Sequence, residues 1–160
     1  MKLLIGTEIE DQIRVALQRA GKREVGGILM GENIGPNEFR LADLTVQMEG
    51  GTFARFVRAV EPFLGPLRAF FRRTAHDYRR FNYLGEWHSH HSFTLELSAP
   101  DIDSMLDLVT DREVGALFAV ALLVRLSAES ALEARAWAVT QNGTITPIAL
   151  VRSAAVAGNA

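Results

Sequence analysis

The chain contains no cysteine. That absence removes disulfides, thiolate nucleophiles and every cysteine-based zinc centre, including the His/Cys/Cys site of nucleobase deaminases, and cytoplasmic residence is the natural expectation. An excess of charge is missing too. With 17 Lys and Arg against 19 Asp and Glu the formal charge is -2, which provides none of the basic field that phosphate binding needs and argues against a dedicated nucleic-acid binder. No apolar run approaches the ~18 residues of a membrane span. The most apolar stretch, Gly115–Val124, reads as a buried strand. The opening Met1–Gly6 runs into acidic Glu8, Glu10 and Asp11 and is too short for a signal-peptide core. No membrane association is expected. No repeat, low-complexity tract or linker divides the chain, and 48% hydrophobic with 22% charged residues over 160 positions suits one globular domain.

Histidine is also scarce, and its distribution is uneven: of four, three lie at His88, His90 and His91. His88 and His90 close a strand-like run from Phe81 to Trp87, so they project to the same side of a pleated strand. Ser98 and Asp101 then mark a helix start, followed by Ile102, Met105, Leu106 and Val109 at helical spacing. The seven residues between His90 and Ser98 allow the chain to turn back and bring the Asp101 carboxylate to both imidazoles. Two histidines and a carboxylate leave a fourth position for water, as catalytic zinc requires; iron and manganese accept the same donors. Either half alone has a plain explanation, a solvated histidine cluster or a simple capping box. Their coincidence favours a metal-hydrolase site.

The remaining pattern predicts strands and helices in mixed order. A first strand covers Leu3–Ile5, and a helix over 8–20 follows, capped by Thr7 and closed by Gly21, with Ile9, Ile13, Ala16, Leu17 and Ala20 on one stripe. Val25–Glu32 and Phe39–Met48 form a hairpin through the turn at Asn33–Glu38, and Val57–Val60 is a further short strand. A helix near 65–80 places Leu67, Phe70, Phe71, Tyr78 and Phe81 inward and gives Arg68, Arg72, Arg73, Arg79 and Arg80 an outer basic face, most simply a solvated one. His76 lies in it, away from the motif. After the helix near 99–110 come strands at 116–125, 132–140 and 144–151, the last two joined by Asn142-Gly143. Glu24 stands at the leading edge of its strand, where a side chain can reach a cleft; by itself it would be a solvated charge beside Lys22 and Arg23.

His-x-His, seven residues, Ser, two residues, Asp resembles the JAMM motif of the MPN (JAB) metallopeptidases, here His88, His90, Ser98 and Asp101. The segment Glu24-Val25-Gly26-Gly27-Ile28-Leu29-Met30-Gly31 resembles that family's upstream glutamate segment. One departure is His91, where the family usually has proline.

The resemblance implies a single α/β domain of MPN (JAB) type over residues 1–151, a curved mixed or antiparallel sheet flanked by about three helices, with 152–160 as a flexible tail. It implies Zn²⁺ on His88, His90 and Asp101, Glu24 as general base and Ser98 as oxyanion donor, with Glu86 and His91 as candidates to support the ligands. The expected activity is that of a deubiquitinase-like isopeptidase. It would cut peptide or isopeptide bonds after the C-terminal glycine of a ubiquitin-like protein, alongside E1-like and E2-like proteins of a bacterial anti-phage conjugation operon. An extended tail of that kind suits pairing with a sheet edge. A zinc amidase acting on small molecules or sulfur carriers would use the same residues, and a non-catalytic MPN scaffold is the binding-module alternative.

Overall fold

The computed structural model describes residues 1–48, 61–90, 94–112 and 114–153. Chain order is β1 (Lys2–Gly6), α1 (Thr7–Ala20), β2 (Gly26–Gly35), β3 (Glu38–Leu44), α2 (Glu61–Arg73), β4 (Phe81–Ser89), α3 (Ala99–Thr110), β5 (Phe118–Leu126), β6 (Leu132–Thr140) and β7 (Ile145–Ser153). The expected strand at Val57–Val60, His91 and the tail from 154 fall outside the described residues.

The seven strands close into a barrel in the order β1-β3-β2-β4-β5-β6-β7. This corrects the expectation of an open curved sheet flanked by helices, although the chain remains α/β. The cause is β1, which pairs in parallel on both sides: Lys2, Leu3 and Leu4 with Glu38, Phe39 and Arg40 of β3, and all five residues with Ala149–Ser153 of β7. Closure takes up the sheet edges on which an extended tail was expected to add a strand. Among the described residues, the outer side of β3 beyond Arg40 and that of β7 before Ala149 have no pairing with β1.

Alternation along the strands sorts side chains between the barrel interior and its outside. Leu3, Leu29, Trp87, Val120, Leu122 and Val124 share one core with the apolar stripe of α1. Ala119, Ala121 and Leu123, the intervening residues of β5, pack outward with Met105, Leu108 and Val109 of α3. Both faces of β5 are therefore covered, which is why its sequence is continuously apolar rather than alternating. Ile28 and Met30 face outward beneath Phe70 of α2. Because β4 and β5 run parallel, their connection must cross over, and α3 is that crossover.

Two local expectations change. Gly6, not Thr7, is the N-cap of α1, and Thr7 is its first helical residue. The second helix ends at Arg73, short of residue 80. Ala75 and His76 take left-handed backbone angles, φ 52° and 57°, and the His76 N–H reaches back 2.8 Å to the Phe71 carbonyl, closing the helix in Schellman fashion. Tyr78 is consequently 53% exposed instead of inward-facing.

A bulge interrupts β4. Its pairing with β2 steps from Leu29↔Gly85 to Met30↔Tyr83, and Gly85 has φ +152°, where a Cβ would lie 2.0 Å from the Val120 carbonyl oxygen. Only glycine fits such an approach. Gly85→Ala is therefore expected to lower unfolding free energy by roughly 2–4 kcal/mol in urea denaturation; wild-type stability would contradict the assignment of this bulge.

Candidate metal centre

The outward face of β4 carries the site. Glu86 pairs in register with Ala121 and His88 with Leu123 of β5, both of which pack outward, so Glu86 and His88 lie outside the barrel while Trp87 between them fills its interior. Trp87 is fully buried, and its indole N–H donates to the Thr45 carbonyl at 2.8 Å, fixing this end of the strand. His90 follows, its backbone N–H bonded to the Val124 carbonyl at 2.9 Å. The two imidazole centroids are 4.8 Å apart.

Asp101 arrives from the crossover. Ser98 is the N-cap of α3, Pro100 sits in its first turn, and Asp101 is the third helical residue. The cap is reciprocal: Ser98 Oγ and the Ser98 N–H donate to Asp101 Oδ2 at 2.7 and 2.8 Å, and the Asp101 N–H returns a 3.3 Å bond to Ser98 Oγ. The carboxylate is thereby held at the helix N-terminus, where the dipole favours negative charge. Asp101 Oδ1 stands 3.7 Å from His88 Nε2, and Oδ2 stands 3.6 Å from His90 Nε2. All three residues are buried, and their donor atoms lie within 4.8 Å of one another.

These donors fit a metal ion. Tetrahedral zinc with bonds of about 2.0–2.1 Å sets its ligand atoms roughly 3.4 Å apart, close to the two carboxylate–imidazole separations of 3.7 and 3.6 Å. The protonation states agree. His90 Nδ1 lies 2.8 Å from the Thr94 carbonyl; a bond there requires the proton on Nδ1 and leaves Nε2 with the lone pair that a metal would take. His88 is pushed well below the usual histidine range, first by burial and then by the neighbouring His90, so it is a neutral ligand at neutral pH.

Glu24 stays outside the ligand cluster but next to it. The β2–β4 ladder pairs Gly26 with His88 and continues through the Ser89 N–H to the Val25 carbonyl at 2.8 Å. One further step sets half-buried Glu24 level with His90, and two-residue alternation gives it the same face as His88. Gly26 makes room here: a Cβ would come within 2.4 Å of the Trp87 carbonyl oxygen and 3.0 Å of His88 Cβ. Ser89 Oγ anchors the same end by accepting the Val25 N–H at 3.0 Å.

Glu86 does not bond to either histidine. Its carboxyl accepts a 3.5 Å bond from the Tyr83 hydroxyl, and burial pushes it up to about 8. The bulge at Gly85 brings Tyr83 and Glu86 together, a pairing that strict alternation along β4 hides. Thr94 is the other residue that sequence reasoning missed, because a backbone carbonyl leaves no mark in residue identity. His76 is exposed, sits outside the cluster and pairs with the Tyr78 hydroxyl at 2.8 Å. Part of the expected basic face is internal in purpose: Arg73 at the end of α2 pairs with Asp43, and Arg80, beyond the helix, pairs with the buried Glu32 at 2.6 Å.

Fold and cluster define a mixed β-barrel domain with a His-His-Asp group able to hold a metal on its outer face. A family model described as prokaryotic homologs of the JAB domain matches residues 6–140, and the chain belongs to that family, which includes peptidases. It is similar in fold to the solution structure of protein DSY2949 from Desulfitobacterium hafniense, with a TM-score of 0.67 and 14% identity over 97% of this chain and 95% of that one. No curated protein matches the chain. No helix among the described residues is long and apolar enough to cross a membrane.

Removing the Ser98 hydroxyl takes away one bond to Asp101 and the helix cap together. Ser98→Ala should cost about 1 kcal/mol in thermal unfolding of the metal-free protein and weaken zinc binding roughly 10-fold or more in a chelator competition. Unchanged zinc affinity would show that Ser98 does not orient Asp101.

Proposed function

We propose that the protein is a zinc-dependent isopeptidase or peptidase that cleaves after the C-terminal glycine of a ubiquitin-like protein, releasing it from target lysines or trimming its precursor. Its partners are that protein, its conjugates and the E1-like and E2-like proteins of a bacterial anti-phage conjugation system. The observation that carries the reading is the convergence of His88, His90 and Asp101 within 4.8 Å, with Glu24 two residues before Gly26, the pairing partner of His88. A structural metal site is usually closed by protein ligands; three donors beside a free carboxylate fit a site that works on a substrate.

The division of labour follows from position. His88, His90 and Asp101 would hold zinc, which when bound supplies Lewis-acid polarisation of a carbonyl and acidifies water. Glu24, on the same strand face but outside the cluster, accepts the proton of the attacking water and delivers it to the leaving amine. Ser98 is exposed at the rim, and its hydroxyl, now on Asp101 Oδ2, donates to the developing oxyanion, a contribution on the order of 3 kcal/mol for one such donor. The thirteen-residue helix α2 and α3 flank the substrate path on the barrel's outer face. Membership of the JAB family supports amide chemistry, and the resemblance of Gly85-Glu86-Trp87-His88-Ser89-His90 to bacterial members supports a ubiquitin-like substrate.

Zinc-loaded protein is expected to cut a ubiquitin-like protein after its terminal glycine when that glycine carries a C-terminal fusion. Glu24→Ala should retain zinc and lose about 10²–10⁴-fold in kcat. Undiminished cleavage by Glu24→Ala would remove the assigned base, and hydrolysis of small amides with every fusion left intact would replace the substrate class by that of an amidase.

A further inference from the structure

The His90 ring takes its orientation from a loop, and the loop takes its position from a strand two places away. His88 of β4 pairs in register with Leu123 of β5, and Leu123 pairs with Arg135 of β6. The three stand in one row across the sheet and share the outer face, with Arg135 about 10 Å from His88 by strand spacing. Across that row Arg135 meets the segment between His90 and α3. Its Nη1 donates to the Leu95 carbonyl at 3.3 Å and also reaches the Glu96 carboxylate. The guanidinium lies over the Trp137 ring, 5.1 Å from its centroid, which restrains it. Leu95 is held at a second point, because its side chain is buried in one apolar cluster with Leu123 and Trp137. Thr94, the residue before it, is exposed, and its carbonyl is the one 2.8 Å from His90 Nδ1.

We infer that Arg135 is a positioning residue for the metal centre: by clamping Leu95 and Glu96 it holds the Thr94 carbonyl against His90 Nδ1, so that the Nε2 lone pair faces the ion. The inference rests on the metal-centre reading of His88, His90 and Asp101. A backbone carbonyl orients a ring only as firmly as the chain that carries it is held, and exposed Thr94 has no burial of its own to fix it. The two carbonyls face opposite partners, that of Thr94 toward His90 at the end of β4 and that of Leu95 toward Arg135 on β6. Pinning the second therefore limits rotation of the first. A guanidinium suits the task, since it is always charged and its bonds to a carbonyl and a carboxylate are charge-assisted. Glu96 also offsets the arginine's positive charge, which would otherwise oppose a cation at the neighbouring site.

Two measurements test this without cleavage: zinc affinity by chelator competition, and the His90 tautomer of the metal-free protein by long-range proton–nitrogen NMR at a fixed pH. Arg135→Met keeps a stem over Trp137 and removes the donors. It should weaken zinc binding about 10-fold, the low end of what a lost ligand support costs, and turn the single Nδ1–H tautomer of His90 into a mixture. Arg135→Lys, which restores a charged donor for the same two acceptors, should recover most of both losses. Arg152→Met removes another arginine of the same cleft, one bound to Glu10 and to the Leu132 carbonyl, and should change neither. If Arg135→Met does not fold, exposed Glu96→Ala carries the test, with a loss of about threefold in zinc affinity, as one surface ion pair is worth, and a partial tautomer shift. An unchanged His90 tautomer in the folded Arg135→Met protein, or in Glu96→Ala where that variant stands in, overturns the inference and leaves the metal centre standing. Equal losses in Arg152→Met overturn it as well. A wild type that takes up no zinc overturns the metal-centre reading instead, and the metal-free tautomers then decide the role of Arg135 alone.

Discussion

The parallel pairing of β4 with β5 is the constraint from which the candidate site follows. Two adjacent parallel strands cannot be joined by a tight turn, so the chain leaving His90 must travel back along the barrel before β5 begins. The return is made by α3, which lies on the outer face against Ala119, Ala121 and Leu123. Its first turn therefore starts where β4 stops. Two histidines at the end of a strand and a carboxylate at the start of the following helix are brought together by this connection, and the reciprocal bond between Ser98 and Asp101 sets the carboxylate's direction.

Burial gives the cluster its chemical character. His88, His90 and Asp101 are all nearly inaccessible, and burial with the neighbouring His90 holds His88 well below the usual histidine range. A divalent cation would use all three side chains at once, two through imidazole nitrogens and one through a carboxylate oxygen. The surroundings are rigid where precision matters. Trp87 is locked inside the barrel by its bond to Thr45, and Gly26 admits the β2 backbone close enough to bring Glu24 into range of the same face. Glu86 experiences the same low dielectric without a cation beside it, which is why its carboxyl rises while the nearby His88 falls.

Much of the site was legible in the chain because its signals are local. His88 and His90 two apart at a strand end, and Ser98 with Asp101 as a capping box, are short-range patterns whose geometry is fixed by backbone periodicity. The strands at β2, β3, β5, β6 and β7 were legible for the same reason. Closure of the barrel was not, since it depends on the five residues of β1 finding parallel partners in both Glu38–Arg40 and Ala149–Ser153, a long-range choice with no composition of its own. The early end of α2 was hidden because Tyr78 and Phe81 continue its apolar spacing past a left-handed closure made by Ala75 and His76. The Tyr83–Glu86 contact was hidden by the bulge at Gly85, which shifts the alternation that a regular strand would keep.

The central claim is that His88, His90 and Asp101 form one metal site. It is tested most directly by stripping the purified protein with a chelator, reloading it with zinc and measuring bound metal by elemental analysis. The account predicts about one zinc per chain for wild type, as three protein ligands around a single ion require, and its loss in both His88→Ala and Asp101→Ala with the barrel still folded by circular dichroism. Zinc retained at wild-type level in both folded variants, or no zinc taken up by the wild type, would contradict it.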